Sequence, residues 1–327
     1  MALGRNALGI DISSLSTFVC EAKTQILSDQ EISAFKRWMT KLPHTINMHA
    51  PGRRFDAYVE AGYYRNLEGC EFWRLRKAIE QCLASVERLR LTGSQVLARC
   101  AVLRTAQWAL DARKVRPTIV QFKSEITKQA EVMLNSAIEF RQQIESLDLP
   151  QQPRAICLTR SAAGAENDAL VRDVSPPKLI LTSPPYPGIH VLYHRWQVDG
   201  RREAPAPFWI AGQLDGAGSA YYTMGDRKYP RLKSYFDNLR SIFTSVAAIA
   251  GEETTIVQMV AFSDAEWQLP KYLEVMRECG LIEHTPWNIN ENEGRLWRNV
   301  PNRKWHAQQK TNTPGAQEVV LVHRKSI

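Results

Sequence analysis

The chain has 327 residues, 44% of them hydrophobic, with a formal net charge of +8 and a pI near 9.2. That apolar content suffices for a substantial core and excludes wholesale disorder, while the length allows one large domain or two ordinary ones. Six scattered cysteines without a CxxC pair argue against a disulfide framework or zinc ribbon. No apolar run approaches a membrane span, and "MALGRNALGIDIS" lacks a signal-peptide layout, so a soluble cytoplasmic protein is expected.

In chain order, "NALGIDIS" (6–13) reads as a short strand with Asp11 at its C-terminal edge. "SLSTFVCEAKTQIL" follows with helical spacing, Ser13 or Ser14 serving as N-cap. From about 28 to 150 the segments "EISAFKRWMTKL", "CEFWRLRKAIEQCLASVERLRL", "SQVLARCAVLRTAQWALDA" and "KSEITKQAEVMLNSAIEFRQQIESL" carry apolar residues three and four apart. Breakers such as "HAPGRR" and "LTGS" part them, which predicts a helical insertion of four or so helices closed by the linker "LDLPQQPR". Beyond it "RAICLTR", "KLILTS", "TTIVQMVAF", "GLIEHTPWNI" and "GAQEVVLVHRK" read as strands. "RLKSYFDNLRSIFTSVAAIA" and "LPKYLEVMRECG" read as helices between them. Strands alternating with helices predict an α/β fold with a mostly parallel, doubly wound sheet. No helix separates the last two strands, so the final one is expected to run antiparallel.

The strand "KLILT" runs into Ser183-Pro184-Pro185-Tyr186. Two prolines forbid further ladder hydrogen bonds and hold the backbone extended. Diproline turns are common, so a plain strand-ending turn is one explanation. A chemical one concerns an exocyclic amino group on a nucleobase, whose nitrogen lone pair is delocalised into the ring. Two acceptors gripping its N–H bonds draw it toward a more nucleophilic geometry. The Ser183 side-chain oxygen and the Pro184 carbonyl could supply both, while the Tyr186 ring stacks on a base swung out of its helix, a contact worth roughly 1–3 kcal/mol.

In this setting "LILTSPPY" resembles motif IV of the S-adenosylmethionine-dependent DNA amino-methyltransferases, which methylate cytosine N4 or adenine N6. The longer "TSPPYPGIHVLYHRWQVDGRREAPAPFW" is similar to a subgroup of bacterial modification enzymes of that family. The resemblance implies that Ser183, Pro184, Pro185 and Tyr186 form the catalytic hook, and serine in first place favours cytosine N4. The opening "ALGRNALGIDISSLSTFVCEAKT" resembles the stretch that follows the family's glycine-rich loop. It implies that Asp11, with Ile12, and Thr182 before the hook bind S-adenosylmethionine, Asp11 through the ribose hydroxyls. The F-x-G-x-G loop itself is not in the sequence, so an N-terminally truncated Rossmann-like core is expected. "ICLTRSAAG" also departs from the family by offering Arg160 and Ser161 where an acid is usual, and no role is carried over there. The implied division is 1–27 as the start of the methyltransferase core, 28–150 as a helical insertion suited to target recognition, and 151–327 as the catalytic core.

His190 and His194 stand four apart without a third ligand, so no metal is expected and His190 is assigned to the target-base pocket. "HRWQVDGRRE" and "GRLWRNVPNRKWHAQQK" interleave cations with aromatics, as phosphate contacts and base stacking require. Arg195, Arg201, Arg202, Arg298, Arg303 and Lys304 are the DNA-contact candidates, with Arg53 and Arg54 weaker. The expected activity is methyl transfer to an amino group of a flipped base in double-stranded DNA. A restriction endonuclease or a separate N-terminal segment is the candidate protein partner. The alternatives are a catalytically silent fragment or DNA-binding subunit, and an RNA amino-methyltransferase.

Overall fold

The structure, a computed structural model, describes residues 1–52, 54–113, 115–189, 195–198, 202–214, 222–225, 230–286, 292–299 and 317–326. It divides into two compact units, one of Met1–Arg160 and Leu192–Asp215, the other of Ser161–Val191 and Gly216–Ile327. The boundaries read from composition, after 27 and after 150, do not separate these units. The opening strand and helix pack with the insertion helices, and so does a later segment of the chain.

In unit 1, β1 (Ala7–Asp11) pairs in parallel with β2 (Ala155–Thr159), Asp11 opposite Thr159. Helix α1 (Ser14–Thr24) begins where the Ser13 hydroxyl accepts the Ser16 N–H at 3.4 Å, and its Phe18 and Ala22 are buried. Five helices follow, α2 (Asp29–Thr45), α3 (Asp56–Glu60), α4 (Trp73–Val86), α5 (Thr92–Leu110) and α6 (Ile119–Glu145). The short α3 is the one the periodicity does not reveal. Ser28 with Glu31, and Thr118 with Gln121, form capping boxes that satisfy the first free N–H groups of α2 and α6. Phe35, Leu42, Ile79, Leu83 and Phe122 are fully buried between these helices, and the Trp38 Nε1–H donates to Ser85 Oγ at 2.8 Å. The unit is completed by an unforeseen antiparallel hairpin, β4 (Trp196–Val198) and β5 (Arg202–Ala204), and by α8 (Ala206–Ala211).

Unit 2 is built on a mixed sheet ordered β3 (Leu179–Thr182), β6 (Thr255–Ala261), β9 (Gln317–Lys325), β7 (Leu281–Glu283), with β8 (Leu296–Asn299) also paired to β9. Strand β3 runs parallel to β6, and β9 runs antiparallel to both β6 and β7, as expected of the last strand. Short α7 (Ala169–Arg172) precedes the sheet. Helix α9 (Lys233–Ile249) and helix α10 (Ala265–Glu278) bury Leu239, Phe243, Tyr272 and Val275 against Ile256, Val260 and Leu321. Helix α10 starts earlier than its apolar spacing suggests, because Asp264 caps it and Pro270 stands inside it.

Both long helices of unit 2 therefore lie on one face of the sheet, where a doubly wound sheet calls for both faces. Ile256 and Val260 of β6 and Val319 and Leu321 of β9 turn to that side, whereas Glu318 and Val322 of β9 are buried on the other. On the other face of β3, Leu179 and Leu181 stay 57% and 63% exposed. Beneath α10, Tyr272 donates to Gln258 Oε1 at 2.5 Å and Gln258 Nε2 meets His323 Nδ1 at 3.1 Å, a polar chain inside the core. Burial pushes the His323 imidazole down to about 4, so it sits neutral, its Nε2 without a partner among the described residues. Among the described residues no helix is long and apolar enough to cross a membrane.

Candidate active site

The hook begins where β3 ends, and the residues around it come from three elements of unit 2. Ser183 Oγ donates to the Met259 carbonyl on β6 at 3.1 Å, which uses its hydrogen and leaves its lone pairs facing outward as acceptors. Tyr235 on α9 donates its hydroxyl to the Pro185 carbonyl at 2.8 Å, and burial raises its pKa, so it remains a donor. Pro184 is buried, and among the described residues none donates to its carbonyl. Of the two acceptors expected of the hook, Ser183 is exposed, and the carbonyl of the buried Pro184 takes no hydrogen bond from the described residues.

The loop beyond is tied down as firmly. Ile189 N–H donates to the Tyr186 carbonyl at 3.1 Å and Ser263 N–H to the Pro187 carbonyl at 3.3 Å. Gly188 has φ +73°, and a Cβ there would collide with the Ser263 hydroxyl. That hydroxyl in turn accepts from Gln268 Nε2 at 2.8 Å. Such a chain of bonds fixes the direction of a short loop without secondary structure of its own.

Tyr186 is half-buried, and its hydroxyl donates to Glu318 Oε2 at 2.5 Å. Glu318 lies on β9, 3% exposed, and its other oxygen takes the Arg298 Nε–H at 2.6 Å. Arg298 thus serves as the counter-ion of a buried carboxylate while its own side chain stays 47% exposed. Neither Glu318 nor Tyr235 was read as part of the site. The one sequence signal for Glu318 is an acid standing directly before the apolar run "VVLV".

The expected cofactor residues lie apart in the chain and in the division into units. Asp11, in unit 1, is exposed at the carboxyl end of β1, and its Oδ1 accepts the Ser13 N–H at 2.8 Å. Its second oxygen has no partner among the described residues, which suits a diol. Ile12 beside it is half-buried, and the Arg160 N–H reaches the Asp11 carbonyl at 3.0 Å. Thr182, in unit 2, is half-buried at the end of β3 opposite Gln258.

Arg195 and Arg202 flank and open the β4–β5 hairpin of unit 1, half-buried and exposed respectively. Arg54 pairs with Glu68 at 3.3 Å and with Asp56 at 3.8 Å, so it too is engaged. His190, His194, Arg201, Arg303, Lys304 and Arg53 lie outside the described residues. Compared with family models, curated proteins and solved structures, the chain matches none.

Proposed function

We propose that this chain is an amino-methyltransferase acting on a base flipped out of double-stranded DNA, with cytosine N4 the favoured acceptor. The observation that carries the reading is the hook's hydrogen bonding. Ser183 Oγ gives its proton inward to Met259, the Pro184 carbonyl receives none from the described residues, and Tyr186 is held by Glu318. Two acceptors and a ring, each fixed by the framework, are what an amino group needs in order to be held and oriented. Under this reading the strand order β3–β6–β9–β7, with its antiparallel last strand, is that of a Rossmann-like methyltransferase core.

The exposed Asp11 carboxylate at a strand tip, with Ile12 beside it, suits the ribose diol of S-adenosylmethionine. When bound, that cofactor supplies a sulfonium methyl, which the amino nitrogen takes while the carbon–sulfur bond breaks. Ser183 and Pro184 orient the acceptor nitrogen, and Tyr186 stacks on its ring. No general base is required, because the methylated ammonium loses its extra proton to water.

A second reading, a chain that works only with a separate polypeptide segment, is favoured by β3. Its Leu179 and Leu181 are exposed, and among the described residues no strand pairs with its second edge. Parallel strands are normally covered on both faces. The two readings part on methyl incorporation into duplex DNA by this chain alone, measured for wild type, Ser183→Ala and Tyr186→Ala. The first expects incorporation that falls by about a hundredfold or more in the variants. Equal incorporation in all three would overturn the role of the hook.

A further inference from the structure

The positive surplus of the protein is concentrated in one stretch. Between Trp73 and Arg116 the sequence holds ten Lys or Arg against three acids, Glu80, Glu87 and Asp111. Part of this charge is used internally: Arg76 donates to the Leu67 carbonyl and pairs with Glu80, and Lys77 donates to the Met48 carbonyl. Burial also raises the pKa of Glu80, which weakens it as a counter-charge.

The cations that remain outward at one end of the α4–α5 pair are held by aromatic rings. Arg74 is exposed, its guanidinium 5.2 Å from the ring of Trp73, which is itself 40% exposed. Arg113 lies 4.2 Å over Trp108 in the last turn of α5 and donates to the Trp108 carbonyl. Arg116 lies 4.5 Å over Phe72, which directly precedes α4. That contact joins the start of α4 to the turn after α5. Among the described residues no carboxylate pairs with Arg74 or Arg113.

The β4–β5 hairpin docks onto the same turn. Ala112 N–H donates to the Gln197 carbonyl at 2.8 Å, and Gln197 N–H donates to Asp111 Oδ1 at 2.9 Å. The acid inside the turn is thus occupied by backbone, while Arg195 and Arg202 arrive from the hairpin. Exposed Glu71 is the local counter-charge, three residues before Arg74.

We propose that this end of unit 1 binds the sugar–phosphate backbone of double-stranded DNA. Guanidinium planes stacked on rings are oriented before a ligand arrives and lose little freedom on meeting a phosphate. The surface deepens the reading of the protein as a DNA methyltransferase and rests on it for the identity of the polyanion.

The test uses the full chain, a fluorescent 30-base-pair duplex and anisotropy at several salt concentrations. Each of Arg74→Ala and Arg113→Ala should weaken binding several-fold and lower the salt slope by about one. Arg74→Lys should keep the slope, as should Arg88→Ala, whose cation stands at the far end of α4. Lys271→Ala, on α10 of unit 2, should bind the duplex like wild type, and methyl transfer is assayed separately so that its loss and loss of DNA binding are told apart. Wild-type affinity and slope in a folded Arg74→Ala/Arg113→Ala double variant would overturn the proposal. So would wild-type binding to anionic lipid vesicles or structured RNA in preference to the duplex.

Discussion

The two units differ in charge and in what their buried polar groups hold. Unit 1 holds 26 Lys and Arg against 19 acids, and the polar groups it buries, Ser85 with Trp38 and Glu80 with Tyr64, tie its own packing together. Unit 2 is nearly balanced, at 16 against 15, yet it buries Gln258, His323 and Glu318 in hydrogen-bonded chains. Surface charge acts at long range, tolerates imprecise geometry and weakens with salt. Buried polar chains act at contact distance and lose their value when one member shifts. The first arrangement suits holding a polyanion, and the second suits fixing a reactive group.

The contrast can be broken first in the core of unit 1. Phe35→Ala should cost about 3–5 kcal/mol by urea denaturation, as expected for a fully buried aromatic ring. A cost below about 1 kcal/mol would mean that the helices do not depend on this core. In unit 2 the corresponding lever is protonation. The folded pKa of His323, about 4, lies below the usual value of 6.5 for an exposed histidine, so the unfolded chain binds the proton first. Stability is therefore full above pH 6.5 and falls by up to ~3 kcal/mol as the pH drops toward 4. A folded His323→Val variant should lose this dependence over the same window.

The smallest effect sharpens the link between the buried acid and the hook. Glu318→Gln keeps the shape while removing the charge that Tyr186 and Arg298 share. It should lower methyl transfer about tenfold, equivalent to ~1.4 kcal/mol, with duplex affinity unchanged. A fall in duplex affinity instead would assign Glu318 to binding, not to positioning of the ring.

Local patterns made much of this legible. Ser13 caps α1, the apolar spacing of 28–150 does give helices, and the last strand, in "GAQEVVLVHRK", does run antiparallel. The hook was visible because two adjacent prolines leave few backbone conformations open. What stayed hidden depends on distant partners. Glu318 lies 132 residues from the tyrosine it holds, and nothing local distinguishes Arg298, its ion-pair partner, from a solvated arginine. The unit boundary was missed because composition changes at the helices, whereas packing joins β1, α1 and β2 to them. The ring-stacked cations of α4 and α5 read in sequence as ordinary amphipathic faces, since Phe72 and the Arg116 stacked on it stand far apart in the chain.

The central claim is that Ser183 and Pro184 grip an exocyclic amino group. It is tested most directly by incubating the chain with duplex DNA and methyl-labelled S-adenosylmethionine, then identifying the modified nucleosides by mass spectrometry. The account predicts labelled N4-methylcytosine with wild type and at least a hundredfold less with Ser183→Ala, on the order of what one lost transition-state hydrogen bond costs. Label appearing equally with the variant, or only on a ring carbon, would contradict it.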